Sequence, residues 1–172
     1  ATFEFVSDFD GTFTIGTTGG TGSKLTENLS PGPYSVTEGT MPAGWEFFEA
    51  SCDDDDGDDP SSLVLDPGET INCTFINYKQ GTITVVKNTV GADGTFSFTS
   101  DFGGDFDIDT TGNTGNRAFG PLSQGTYSVS ETDPGPGWRL DSATCSNGTP
   151  DSFTLAAGGA VLCTFTNTRL VP

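Results

Sequence analysis

The sequence contains no histidine, and its six basic residues are outnumbered by 24 acidic ones, so the formal net charge is −18. The absence of histidine excludes Ser-His-Asp triads, Cys-His nucleophiles, His-ligated zinc and acid–base catalysis by imidazole. The shortage of positive charge makes nucleic acid and anionic membranes poor partners. No apolar run is long enough to cross a membrane. We therefore expect neither an enzyme nor a membrane-inserted or nucleic-acid-binding protein.

What the sequence does contain is an internal repeat. Residues from Thr2 onward match residues from Thr95 onward at a constant offset of 93. After Cys52 and Cys145, which are equivalent positions of the two repeats, the offset falls to 90. A repeat of this length corresponds to one small sandwich domain. We predict two domains, residues 1–80 and 81–172, and two tandem copies favour a stalk or an array over a solitary enzyme.

The hydrophobic pattern has a period of two almost everywhere. Apolar and polar residues alternate in residues 82–86, 95–98, 127–130 and 161–165, and clusters rich in Gly, Pro and Asp separate these segments. Such alternation is typical of half-buried strands, and no segment has the spacing of an amphipathic helix. The predicted fold class is all-β, with two tandem immunoglobulin-like β-sandwich domains.

Four cysteines lie at equivalent positions of the two repeats, and none forms a C-x-x-C pair. They could be four free thiols of a cytosolic protein or two disulfides of an extracellular one. The acidic composition favours the disulfides, and among three possible connectivities the repeat selects Cys52–Cys73 and Cys145–Cys163. We therefore expect an extracellular or cell-surface location.

The first repeat lacks the segment with which the second begins. Residues 81–93 include an alternating strand and have no counterpart before Thr2. A sandwich without its first strand exposes unpaired backbone. Either the parent chain continues upstream, or another molecule supplies this strand by β-augmentation. The C-terminal tail, residues 169–172, is too short to be an obvious donor of the missing strand.

Three residues of the second repeat form an ordered set. Lys87 lies on the first strand, Glu131 closes the strand that follows Gly125, and Asn167 lies on the last strand. The order, together with the sequence Gly-Thr-Tyr-Ser-Val-Ser-Glu-Thr at 125–132, resembles the CnaB or SpaA-type, prealbumin-like domains of Gram-positive surface proteins and pilins. The resemblance implies that Lys87 and Asn167 join in an isopeptide bond while Glu131 moves the protons. The alternative is a solvated lysine, a turn cap and a hydrogen-bonding asparagine.

The first repeat keeps only part of this set. Glu38 and Asn77 are equivalent to Glu131 and Asn167, but no lysine precedes them on a first strand. Lys24 aligns with Arg117 in a predicted loop and is not a substitute. If a partner supplied the missing strand, and that strand carried a lysine, the first repeat would also have a lysine, a glutamate and an asparagine.

Acidic clusters suggest Ca²⁺ as the one candidate cofactor. One cluster lies in the predicted disulfide loop of the first repeat, and another alternates along a strand of the second; the candidate ligands are Asp53, Asp54, Asp55, Asp56, Asp105, Asp107 and Asp109. The first cluster, which Asp58 extends, does not fit the EF-hand template. Neither cluster recurs in the other repeat, and the alternative is a solvated acidic surface.

Glycans are the other candidate partners. Sequons for N-glycosylation begin at Asn28, Asn72 and Asn147, and Asn147 lies in the most open predicted loop. Trp45 and Trp138 could stack on sugars, but their repetition beside the cysteine strands favours core packing.

Together these features predict a structural subunit of an extracellular fibre, pilus-like filament or surface stalk. Copies of the chain would assemble head to tail through strand complementation at the open edge of the first domain, giving a homopolymer. The alternative is an adhesin-type binding module for a carbohydrate or a Ca²⁺-dependent ligand.

Overall fold

A computed structural model describes residues 1–57 and 59–170, and within them the chain forms strands, turns and loops. These residues include no helix, and hence none that could span a membrane. The chain divides into two compact units, residues 1–78 and 79–172, which we call domain 1 and domain 2. The predicted boundary, between residues 80 and 81, lies two residues further along.

Domain 2 is built from ten strands. In chain order they are β8 (Gly81–Val90), β9 (Thr95–Ser100), β10 (Gly104–Asp109), β11 (Thr114–Leu122), β12 (Gly125–Tyr127), β13 (Val129–Glu131), β14 (Trp138–Cys145), β15 (Gly148–Thr149), β16 (Ser152–Leu155) and β17 (Ala160–Arg169). One sheet has the order β10-β9-β13 and the other the order β11-β8-β17-β14-β15-β16-β12. The first and last strands, β8 and β17, pair in parallel over their whole length.

The core of domain 2 follows from the period-two pattern. On β8 every second residue from Gly81 to Thr89 is buried, and β9, β10 and β17 alternate in the same way. Phe98 stacks on Phe106 across two strands and meets Phe165 edge to face, with ring centroids 5.3 and 5.1 Å apart. Five of the twelve buried residues that form this core among the described residues are phenylalanines, and aromatic side chains each bury a large apolar area.

Domain 1 repeats this plan without the first strand. Its strands are β1 (Thr2–Ser7), β2 (Gly11–Gly16), β3 (Gly32–Tyr34), β4 (Val36–Glu38), β5 (Trp45–Cys52), β6 (Leu63–Leu65) and β7 (Cys73–Lys79). One sheet has the order β2-β1-β4, and the opposite side consists of the pairs β5-β7 and β3-β6. The position that β8 occupies beside β17 has no counterpart beside β7 among the described residues. The predicted fold class, all-β with two tandem sandwich domains, is confirmed.

The missing strand changes a second element. Residues 21–29 are equivalent to β11 but form no strand beyond an isolated bridge between Thr18 and Thr21. In domain 2 the equivalent bridge, between Thr111 and Thr114, continues into β11, which pairs with β8. The two segments begin alike, with Thr-Gly-Ser-Lys and Thr-Gly-Asn-Arg, but only the second has a neighbouring strand to pair with among the described residues.

Both predicted disulfides are present. Cys52–Cys73 joins β5 to β7, and Cys145–Cys163 joins β14 to β17. The tryptophans are partly buried and pack against the cores: Trp45 meets Phe3 and Trp138 meets Phe96 edge to face, with ring centroids 5.2 and 5.0 Å apart. The core-packing interpretation of the tryptophans is therefore confirmed.

Candidate functional site

The parallel pairing of β8 with β17 brings the predicted set of domain 2 together. Lys87 and Asn167 both lie at inward positions of these strands, and the side chains of both are fully buried. Glu131 ends β13 on the opposite sheet, and its side chain is 1% exposed. Three polar groups that the sequence separates by up to 80 positions thus meet inside the sandwich.

Glu131 bridges the other two residues. Its Oε1 accepts a hydrogen bond of 2.7 Å from Asn167 Nδ2, and its Oε2 lies 3.5 Å from Lys87 Nζ. The amine also lies 4.4 Å from the centroid of the Phe96 ring. Asn167 Oδ1 is buried and has no hydrogen-bond partner among the described residues. Lys87 is therefore not a solvated edge residue, and Glu131 is not a turn cap.

Burial shifts the protonation of both charged groups towards their neutral forms. Desolvation lowers the pKa of Lys87, an effect that the charge of Glu131 partly opposes. Desolvation likewise raises the pKa of Glu131, with the charge of Lys87 acting in the opposite direction. A neutral amine has a lone pair available for attack on a carbonyl carbon. A carboxyl between an amine and an amide nitrogen can pass a proton from the first to the second.

Domain 1 contains the same carboxyl–amide pair without a lysine. Glu38 Oε1 accepts a hydrogen bond of 2.6 Å from Asn77 Nδ2. Glu38 Oε2 and Asn77 Oδ1 are buried, and neither has a hydrogen-bond partner among the described residues. Burial raises the pKa of Glu38, although the hydrogen bond from Asn77 lowers it. The oxygen without a partner, Oε2, is the one that faces Lys87 in domain 2.

Lys24 is not a substitute for the absent lysine. Its Nζ lies 2.6 Å from Asp10 and 5.1 Å from the centroid of the Phe13 ring. Arg117 lies over the equivalent ring, Phe106, at 5.5 Å. Lys24 therefore occupies the place of Arg117, as the alignment predicts.

The acidic residues do not converge. Among residues 1–57 and 59–170, no group of three acidic or cysteine side chains is placed to hold a metal ion. Asp53 instead accepts hydrogen bonds from Asn72, and Asp54 accepts them from the backbone of Asp56 and Val64. The predicted calcium ligands Asp53, Asp54, Asp55, Asp56, Asp105, Asp107 and Asp109 thus provide no ligand set, and Asp58 lies outside the described residues.

The three predicted glycosylation sites all lie on exposed residues. Asn28 has a positive φ of 61° in the segment that domain 1 leaves unpaired. Asn147 donates a hydrogen bond of 3.3 Å to the carbonyl of Thr154, whereas Asn72 is held against Asp53. Glycosylation stays a prediction at each of them.

Two residues that influence Lys87 were not predicted from the sequence. Phe96 forms the apolar face against Lys87, and Asp141, exposed on β14, adds a negative charge that favours the charged lysine. The alternation in residues 95–98 does predict that Phe96 points inward. Which inward ring meets the amine depends on the pairing of the sheets, which local sequence does not determine.

In a comparison with known protein families, one family model matches the chain. The family model described as "prealbumin-like fold domain" matches residues 1–79 and again residues 83–169. No curated protein matches the chain.

Solved structures similar to the chain include three bacterial surface proteins. The major pilin protein T-13 of Streptococcus pyogenes is 13% identical, with coverage of 98% of this chain and 89% of the pilin and a TM-score of 0.41. A C-terminal fragment of the pilus adhesin SpaC of Lactobacillus rhamnosus GG is 16% identical, with coverages of 99% and 89% and a TM-score of 0.38. An adhesin of Mobiluncus mulieris with intramolecular disulfide, isopeptide and ester cross-links is 10% identical, with coverages of 99% and 85% and a TM-score of 0.36.

Proposed function

The chain belongs to the prealbumin-like fold domain family, with two tandem copies, and from that premise we propose that it is a structural subunit of an extracellular fibre, pilus-like filament or surface stalk. The tandem arrangement carries this proposal, because two successive copies of one small sandwich, each with its own disulfide, suit a spacing or bridging unit. The two disulfides support an oxidising, extracellular location. The function is mechanical: the domains space or bridge, and cross-links and paired strands resist unfolding.

Strand complementation is the proposed mode of assembly. A strand from a neighbouring copy would run parallel to β7, as β8 runs parallel to β17, and would pair with residues 21–29 on its other side. Backbone hydrogen bonds would supply affinity, and alternate side chains would fill the core. Repetition of this contact from copy to copy gives a head-to-tail homopolymer.

The buried set of domain 2 is proposed to close a covalent link. The neutral amine of Lys87 attacks Cγ of Asn167, the new bond joins Nζ to Cγ, and the bond from Cγ to Nδ2 breaks. Glu131 takes a proton from the amine through Oε2 and gives one to Nδ2 through Oε1, so that ammonia leaves. The packed strands hold the reactants together, which replaces a bimolecular encounter by an intramolecular one.

Intact mass under reducing and denaturing conditions tests this link. We expect the chain to weigh one ammonia less than its sequence and to yield a tryptic fragment in which the Lys87 and Asn167 peptides are joined. The Lys87→Arg and Glu131→Gln variants should keep the full mass. A wild-type chain with the full mass would contradict the cross-link, and the three residues would then serve packing alone.

Assembly is tested with a peptide that has the sequence of β8, the first strand of domain 2, as an inhibitor of polymerisation. Sedimentation and electron microscopy should find concentration-dependent oligomers of the native protein. A synthetic peptide with the sequence of residues 81–90 should shorten them because it occupies the open edge of domain 1. A protein that stays monomeric and does not bind the peptide would contradict the proposal.

An adhesin-type binding module is the second candidate, and one observation favours it. A cavity of about 280 Å³ opens beside Glu38, with Phe47, Met41 and Phe75 in its wall. Phe47 and its neighbour Phe48 are 51% and 53% exposed. Exposed aromatic rings are suited to stacking on sugars. Saturable glycan binding that Phe47→Ala abolishes, in a protein that does not assemble, would favour this function over the fibre.

A further inference from the structure

We propose that the hydroxyl of Thr89 donates a hydrogen bond to Oδ1 of Asn167 and stabilises the negative charge that this oxygen gains when Lys87 attacks. The inference rests on the proposed function, in which Lys87 and Asn167 become linked, and it adds a residue to that reaction. It gives a use to a buried hydroxyl on β8 that the packing of domain 2 leaves without a partner.

Thr89 and Asn167 each keep a buried polar atom that is not hydrogen-bonded. The two residues are 5% and 0% exposed, and neither Thr89 Oγ1 nor Asn167 Oδ1 has a hydrogen-bond partner among the described residues. Buried polar groups are normally paired, because an unpaired one loses its hydration without compensation. The hydroxyl has a proton to donate and the amide oxygen can only accept one, so the two atoms complement each other.

The register of the parallel ladder places these two side chains next to each other. Thr89 lies opposite Asn167 in the pairing of β8 with β17, and both residues are at inward positions of their strands. Neighbouring strands are about 4.8 Å apart, so the two side chains leave the backbone within reach of each other. The backbone N–H of Thr89 also donates a hydrogen bond of 3.0 Å to the carbonyl of Asn113, which anchors this end of β8. A rotation about the Cα–Cβ bond of Thr89 can therefore direct its hydroxyl towards Asn167 Oδ1.

The other groups of the site are occupied elsewhere. Glu131 accepts the hydrogen bond from Asn167 Nδ2 on one oxygen, and its second oxygen lies 3.5 Å from Lys87 Nζ. Phe96 presents its ring to the amine, with 4.4 Å between Nζ and the ring centroid. These contacts position the amine and the amide nitrogen. The oxygen on which charge develops is left to Thr89.

The hydroxyl acts on the step in which that charge forms. The lone pair of Lys87 Nζ forms a bond to Cγ of Asn167, and the electron pair of the carbonyl double bond moves to Oδ1. Thr89 donates a hydrogen bond to this oxyanion and keeps its own proton. The double bond then re-forms, the bond from Cγ to Nδ2 breaks, and Nδ2 leaves as ammonia with a proton that Glu131 has carried from Nζ. A donor that is unpaired in the reactant and paired in the transition state lowers the barrier, because its hydrogen bond is gained only there.

Time-resolved refolding of the full chain tests the inference. Chemical ligation in denaturant gives a chain that has never folded and is therefore unlinked. After dilution into a glutathione buffer, the emission of Trp138 in a Trp45→Phe background reports the folding of domain 2, and the intact mass of quenched, reduced samples reports the loss of ammonia. The variants are Thr89→Val, which keeps the branched shape without the hydroxyl, and Thr89→Ser, which keeps the hydroxyl.

Thr110→Val is the matched control. Thr110 is another buried threonine of domain 2, but its hydroxyl donates a hydrogen bond of 3.2 Å to the carbonyl of Gly94 and accepts one of 2.9 Å from the N–H of Gly94. The control change should lower the urea midpoint of domain 2 and leave the rate of ammonia loss after folding unchanged. Thr89→Val should do the opposite. In a Lys87→Met background, which cannot form the link, it should keep or raise the midpoint, because it removes a hydroxyl that has no partner.

We expect Thr89→Val to fold as fast as the wild type and then to lose ammonia about 10²-fold more slowly, the usual effect of removing one donor to an oxyanion. Thr89→Ser should react at close to the wild-type rate. Equal rates for Thr89→Val and the wild type would overturn the role of Thr89 but leave the link intact. A slow reaction that Thr89→Ser does not restore would also overturn it, because the shape of the side chain and not its hydroxyl would then be responsible.

Two further outcomes would count against the inference. If Thr89→Val lowered the urea midpoint in the Lys87→Met background, the hydroxyl would serve stability and not the reaction. If the wild-type chain folded and kept its full mass, the link itself would be absent, and the role of Thr89 would be overturned together with it.

Discussion

Domains 1 and 2 keep the strands they share in the same order and have equivalent disulfides, yet they differ in how completely their cores are buried. Among the described residues, the core of domain 2 contains twelve buried side chains and that of domain 1 contains five. Phe165 and Asn167 are almost fully buried, whereas their equivalents Phe75 and Asn77 are only half-buried. In domain 2, β8 pairs with β17 at both of these positions and contributes Ile83 and Val85 to the core, and β7 has no such neighbour among the described residues.

The comparison also separates local sequence from tertiary context. Residues 21–29 and 114–122 begin with similar sequences, Thr-Gly-Ser-Lys and Thr-Gly-Asn-Arg, and place Lys24 and Arg117 over equivalent rings. Only the second segment pairs with a neighbour, and only it forms a strand. The two segments therefore differ in the presence of a neighbouring strand.

The largest expected difference between the domains comes from truncating equivalent core rings. Phe165→Ala should lower the free energy of unfolding of domain 2 by about 3–5 kcal/mol, since a fully buried ring leaves a cavity. Phe75→Ala should cost domain 1 less than half as much, because Phe75 is already half-buried. Each domain has one tryptophan, so urea unfolding of Trp45→Phe and Trp138→Phe backgrounds reports the domains separately. Equal losses would contradict the difference in closure.

Removing the disulfides sharpens the comparison further. The bond in either domain closes a loop of about 20 residues and should contribute about 3 kcal/mol. Domain 1, with the smaller core, should unfold in buffer when Cys52 and Cys73 are both changed to Ser. Domain 2 should stay folded after the same change at Cys145 and Cys163. The emission maximum of the tryptophan in each domain measures this, and the reverse order of sensitivity would count against the account.

Lys87→Met should make the buried site of domain 2 resemble that of domain 1. The change removes the proposed link to Asn167 and also the partner of Glu131 Oε2 inside the core, and the second loss alone should cost about 1–3 kcal/mol in the free energy of unfolding. Lys24→Met is the matched control, because Lys24 is partly exposed and its loss should cost less than about 0.5 kcal/mol. If the two changes had equal effects in urea unfolding, the buried lysine would not distinguish the domains.

The smallest expected effect is a pH dependence of domain 1. Burial raises the pKa of Glu38 above the ordinary value of 4.5, so folding favours the protonated carboxyl. Its contribution is fully present below pH 4.5 and is lost as the pH rises through the raised pKa. Unfolding monitored at Trp45 from pH 4 upward should therefore show a decline that Glu38→Gln reduces. An identical profile for the variant would show that Glu38 is not the group responsible.

Much of this architecture could be predicted from sequence, because the repeat supplies an internal comparison. The offset between the two copies gives both disulfides, the missing strand and the equivalence of Lys24 with Arg117. Alternation gives the strands and shows that Trp45 and Trp138 belong to cores. The strands follow from the local sequence pattern, and the disulfides and equivalences follow from comparing the two repeats, so one sequence is enough to predict them.

The site itself could be predicted only in part. The order of Lys87, Glu131 and Asn167 suggests a set, but their meeting depends on the parallel pairing of β8 with β17 and on the opposite sheet. The calcium prediction lacked support for the same reason, since neighbouring aspartates in sequence need not converge in space. The failure of residues 21–29 to form a strand likewise follows from an absent partner and not from their own composition.

Amide hydrogen exchange on the intact chain, with and without the peptide of residues 81–90, tests the central claim most directly. Without the peptide, the account predicts fast exchange in residues 21–29 and on the open edge of β7, and slow exchange in residues 114–122 and β17. With the peptide, the first pair should become as protected as the second. The claim that an added strand can pair with β7 and residues 21–29 would be contradicted by either of two results. Residues 21–29 could already be protected in the free chain, or they could gain no protection from the peptide.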